Sequence, residues 1–156
     1  MTKTGAPLKT PATPKGILDL EFAYNKTKAA VVINAWSGTG AADNIHAAKI
    51  NTWLDFIFLF FYALLLYYSC KEIAASFDGF LFITGRFLAK GALIAGLLDM
   101  LENAGMLITL NGTLSDSFTM LTVVFSLIKW VLALAGVVYT VVAGSVLLFR
   151  KISNNR

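Results

Sequence analysis

Cysteine, histidine, proline and charge are all scarce in this chain, and each scarcity removes a class of function. Cys70 is the only cysteine, which excludes an intramolecular disulfide and any CxxC metal or redox pair. His46 is the only histidine, so a multi-histidine zinc or haem site lacks ligands and a Ser-His-Asp triad would depend wholly on it. No cofactor is implied. The three prolines fall within the first sixteen residues, MTKTGAPLKTPATPKG. That stretch also has no apolar core, so it is expected to be neither a signal peptide nor an anchor, only a disordered basic tail over 1–16.

Charged residues make up 14% of the 156 residues against 57% hydrophobic, with mean hydropathy +0.70. Such a chain cannot cover a soluble domain with charge, and it reads as a single-domain, all-α integral membrane protein. A span needs about 20 apolar residues, and Trp53 to Cys70, Phe87 to Leu110 and Phe118 to Phe149 qualify. Helices satisfy their own backbone hydrogen bonds in hydrocarbon. Net charge is +4, and Lys3, Lys9, Lys15, Lys26, Lys28 and Lys49 all precede the first span. This bias points to a plasma or inner membrane with a cytoplasmic N-terminus and a lipid bilayer as the first partner. No aromatic-basic alternation of the kind that stacks bases occurs, so no nucleic acid is expected as a partner.

Residues 17–36 are expected to form an amphipathic helix at the interface. Leu18, Phe22, Ala29, Val32, Ile33 and Trp36 can share one face, with Asp19, Lys26 and Lys28 toward water. SGTG at 37–40 breaks it. The bundle then occupies 40–152, with helices over about 40–75, 80–110 and 116–151 and turns at SFDG (76–79) and NGTLSD (111–116), where Ser115 or Asp116 would cap the third helix. The third segment contains no turn signal and is read as one helix. A break near Lys129 would give four spans, the alternative that the distribution of Lys and Arg suits better.

Small and polar residues mark the expected seams. The second helix carries Gly85, Ala89, Ala92, Gly96, Asp99, Asn103 and Met106 at alternating spacings of three and four. The third carries Thr119, Thr122, Ser126, Lys129, Ala133, Gly136, Thr140 and Ala143; the first offers Thr52, Asp55, Leu59, Tyr62, Leu66 and Ser69. Such spacing keeps one face toward a neighbour, and small residues let backbones approach in lipid. For antiparallel neighbours joined by short turns, residue numbers summing to about 154 and about 226 should lie level in the two pairs.

That register brings Asp55, Asp99 and Lys129 to one level, with Glu102, Asn103, Asn51 and Thr52 one turn away. These are the candidate ion- or proton-binding residues: Asp99 and Glu102 to exchange a proton, Asp55 to share it, Lys129 to set the field, Asn51 and Asn103 to complete coordination. The competing reading is a polar layer that fixes helix register through hydrogen bonds. Arg86 and Lys90 form a basic i, i+4 pair turned away from Asp99, and are candidates for a lipid headgroup or for snorkelling.

The leading expectation is a small non-enzymatic membrane protein acting through helix packing with itself or a partner subunit. A proton- or cation-coupled transport component is the alternative. A lipid-modifying enzyme with Asp99 and Glu102 as acid and base is weakest, since no nucleophile or metal motif accompanies them. LDLEFA, NTWLDF and LLDMLEN stand out as a set.

Overall fold

The computed structural model describes residues 5–37 and 42–154. Every regular element among them is helical. A turn of 3-10 helix at Ala6–Leu8 precedes α1 (Ile17–Glu21) and α2 (Lys26–Ser37); three long helices follow, α3 (Ala42–Ala74), α4 (Phe80–Leu110) and α5 (Asp116–Asn154). All three are long and apolar enough to cross a membrane. Helix α5 runs unbroken through Lys129, so the break that a fourth span requires is not there. Its 39 residues extend about 58 Å, nearly twice a hydrocarbon core of ~30 Å.

The chain divides into two compact units, one of residues 1–59 with 98–127, the other of residues 60–97 with 128–156. In the first, the N-terminal segment is folded. Thr13 N donates to Thr10 O, closing a turn with Pro11 at its second position, where the ring presets φ. The Thr13 hydroxyl donates to Leu8 O at 2.7 Å, and Trp36 Nε1 donates to both Leu8 O (3.0 Å) and Thr13 Oγ1 (3.1 Å). Leu8, Thr13 and Trp36 are fully buried, packed with Leu20, Ala29 and Val32 against Ala48, Met106 and Leu110. From Gly5 onward, therefore, the stretch expected as a structureless tail is an anchored strap; residues 1–4 lie outside the described residues.

The helix expected over 17–36 is two helices. Asn25 Oδ1 accepts the Lys28 amide at 2.8 Å, the bond of an N-cap, so α2 starts afresh at Lys26 after a break at 22–25. Ala29, Val32 and Trp36 form its buried stripe while Lys26 and Lys28 face outward. Ser37 ends α2; the rest of SGTG lies outside the described residues. Helix α4 ends in a Schellman motif. Thr113 N reaches Ile108 O, Gly112 N reaches Thr109 O, and Gly112 has φ +96°, a conformation that glycine alone adopts without a Cβ penalty. The same reversal presents Asp116 to α2: its Oδ1 accepts the Lys26 amide at 2.8 Å and its Oδ2 lies 3.7 Å from Lys26 Nζ.

In the second unit, α3, α4 and α5 pack through small residues. A methyl on Gly85 would fall 2.7 Å from Ala74 Cβ and closer still to the Tyr139 hydroxyl, which donates to Leu81 O at 2.9 Å. Gly91 faces Leu132, so α4 and α5 run antiparallel; Leu66 and Cys70 face Gly136 while Ile73 faces Gly144, so α3 and α5 run parallel. Cys70 Sγ donates to Gly136 O at 3.6 Å, a packing role.

Candidate functional site

Every member of the α4 stripe from Gly85 to Met106 is buried, as are Thr119, Thr122, Ser126, Lys129, Gly136 and Ala143 on α5 and Thr52, Leu59 and Leu66 on α3. Alternating spacings of three and four therefore track the enclosed faces. Toward the end of α4 the stripe turns from small to polar, and the first unit acquires an interior of acids, amides and hydroxyls. Asp99 is 4% exposed, while Glu102 and Asn103 are fully enclosed. Asn51 and Thr52 are buried on α3, with Asp55 partly so.

The decisive cross-helix contact is Asn103 Nδ2 donating to Asp55 Oδ2 at 2.8 Å. It departs by one helical turn from the expected level of Asp55 with Asp99. The cause lies in the α3–α4 reversal, where Ser76 N bonds Ile73 O and Phe77 N bonds Ala74 O. Helical winding continues past Ala74 to buried Phe77, so the chain turns at Asp78 and Gly79 (φ +64°) instead of midway between the helices. For α4 and α5 the expected register fits the contact observed: a Cβ on Gly105 would meet Thr122 Oγ1 at 2.5 Å.

A further acid joins this interior from outside the long helices. Glu21, the last residue of α1, is 5% exposed, and the Ser126 hydroxyl donates to its Oε1. Leu20 and Ala23 on either side are buried, so the LDLEFA segment drives its glutamate inward. Sequence reading missed this residue because a continuous amphipathic helix gave Glu21 no partner; Asn25, three residues before Lys28, was the signal of the break. Gly5 covers Asn51, with a Cβ there falling 3.8 Å from Asn51 Nδ2.

Of the other candidates, Lys129 is buried in the second unit, its ammonium 5.9 Å from the centre of the Trp130 ring. Arg86 and Lys90 are exposed on α4, and His46 is exposed on α3. Among the described residues no three His, Cys, Asp or Glu side chains are grouped to hold a metal ion. The acids are spread along the interior, with Asp55 bound to Asn103 and Glu21 to Ser126. No protein-family model, curated protein or solved structure matches the chain.

Proposed function

We propose that the chain is a small, non-enzymatic integral membrane protein of three spans that acts through helix packing, with itself or with a membrane partner subunit, and whose buried polar layer fixes helix register. What carries this reading is an inverted distribution of polarity. Phe60, Phe61, Leu65, Val131, Val138 and Val141 are each at least 58% exposed on the outer faces of the long helices. Asp99, Glu102, Asn103 and Ser126 are inside. Water would reverse that arrangement, whereas hydrocarbon favours it, because apolar side chains gain nothing there by hiding and polar ones require internal partners.

The Asn103–Asp55 and Ser126–Glu21 contacts support the register role, since each uses a polar side chain to hold one element against another at a single axial setting. The lysines before the first span favour a plasma or inner membrane with the N-terminus cytoplasmic.

A proton- or cation-coupled transport component using Asp55, Asp99 and Glu102 is the second reading. Its particular support is Asn103 Oδ1, which is buried and accepts no hydrogen bond among the described residues, on the same amide that holds Asp55. Asp99→Asn combined with Glu102→Gln separates the two readings. A register device loses thermal stability or oligomeric order in detergent, whereas a transporter keeps its fold and loses pH- or cation-dependent flux in proteoliposomes. Resistance to alkaline carbonate extraction tests membrane integration itself.

A further inference from the structure

The N-terminal strap holds a cavity that the register role does not use. It measures about 480 Å³ and lies between the turn before α1, α1 itself and α2. Leu18, Phe22, Val31 and Val32 form its apolar walls, and Lys15 and Lys28 stand among them. Phe22 and Val31 leave 37% and 55% of their surfaces uncovered, and both lysines are exposed. The acid that also lines it, Asp19, turns Oδ2 onto the Lys15 backbone amide at 2.8 Å. The Lys28 ammonium lies 4.9 Å from the centre of the Tyr24 ring. An aromatic ring and a cation side by side are suited to the boundary between acyl chains and headgroups.

We infer that this cavity is a docking site for the headgroup of an anionic phospholipid, with Lys15 and Lys28 holding the phosphate and Leu18, Phe22, Val31 and Val32 covering the glycerol ester region. The inference rests on the three-span reading. Placement supports it: Asp116, at the start of the third long apolar helix, binds the first residue of α2, so the helix lining the cavity is tied to that helix. Charge supports it as well, because residues 1–41 carry five lysines against Asp19 and Glu21, and Glu21 is turned inside. Free phosphate would draw on the lysines and leave the apolar walls unused, whereas a phospholipid uses both.

The test uses the full chain purified in detergent and titrated with phosphatidylglycerol or phosphatidylcholine, bound lipid being counted by native mass spectrometry. Phosphatidylglycerol is expected to bind in preference to phosphatidylcholine. In Lys15→Gln combined with Lys28→Gln its affinity should fall about 10- to 30-fold, with phosphatidylcholine binding unchanged. Arg86→Gln combined with Lys90→Gln should retain the preference, and inorganic phosphate should fail to compete. Both cavity lysines are exposed, so their variant should fold, which an unchanged melting temperature verifies. Equal binding of the two lipids, full affinity in the Lys15/Lys28 variant, loss that follows Arg86 and Lys90 instead, or displacement by inorganic phosphate would each overturn the site. Release of the chain by alkaline carbonate would sink the three-span reading separately, whatever the lipid preference.

Discussion

The Ser126 hydroxyl donates to the Glu21 carboxylate, joining side chains 105 residues apart, both shut away from solvent. The contact ties the short helix α1 to the longest helix of the protein and makes the N-terminal segment a structural part of the first unit. Truncating Glu21 to alanine strands a buried donor, at a cost of about 1–3 kcal/mol. Glu21→Gln keeps an acceptor in the same place and should retain most of the stability. Thermal melting in detergent distinguishes the two, and equal melting of Glu21→Ala and wild type would count against the contact.

Trp36 is the keystone of the strap, with its indole N–H shared between Leu8 and Thr13. Trp36→Ala should cost about 3–5 kcal/mol and loosen everything before it. Limited trypsin digestion reads this directly: cleavage after Lys15, Lys26 and Lys28 should be slow in the wild type and fast in the variant. Similar rates in the two would mean that the segment is not held by this core.

Asn103 and Asp55 are close enough that a second carboxylate cannot be placed there without repulsion. Asn103→Asp sets two carboxyl groups against each other at one enclosed contact, where a second negative charge destabilises the fold. Protonation relieves the repulsion, so the deficit against wild type should shrink as pH falls. Asn103→Leu, which removes the hydrogen bond without adding charge, should show a deficit with far less dependence on pH. A deficit in Asn103→Asp that does not change with pH would refute the proximity.

Two glycines of α4 should respond oppositely to the same change. Gly85→Ala drives a methyl into Ala74 and Tyr139 and should cost roughly 1–3 kcal/mol as the helices are pushed apart. At Gly91 the added carbon would lie 3.4 Å from a Leu132 methyl that can rotate away. Gly91→Ala should then be neutral or stabilising by up to about 1 kcal/mol, since alanine is the better helix former. Melting temperatures of the two variants side by side decide the point.

Much of the arrangement is legible in the sequence. The 3-4 spacing of Gly85 through Met106 marked the enclosed face of α4 because a packed helix must repeat its small residues at the period with which it meets a neighbour. The register of Gly105 with Thr122 followed from a turn that the Gly112 cap makes symmetric. Asp55 came out one turn from its expected level because Phe77 extends the winding of α3, a tertiary effect of burying one aromatic side chain that periodicity does not encode. Glu21 stayed hidden for a similar reason. Its partner Ser126 is supplied by a distant helix, and only the Asn25 cap betrays that the chain bends where Glu21 turns inward.

With three spans, the N-terminal strap lies at the same end as the α4–α5 turn, as the Lys26–Asp116 pair requires. Single cysteines at Thr27, Asp78, Leu114 and Ile152, all exposed positions, can be probed with a membrane-impermeant maleimide in sealed vesicles, with buried Cys70 as the silent background. Thr27 and Leu114 should react from one side of the bilayer and Asp78 and Ile152 from the other. Labelling of Thr27 and Leu114 from opposite sides, or of all four positions from the same side, would contradict the three-span arrangement.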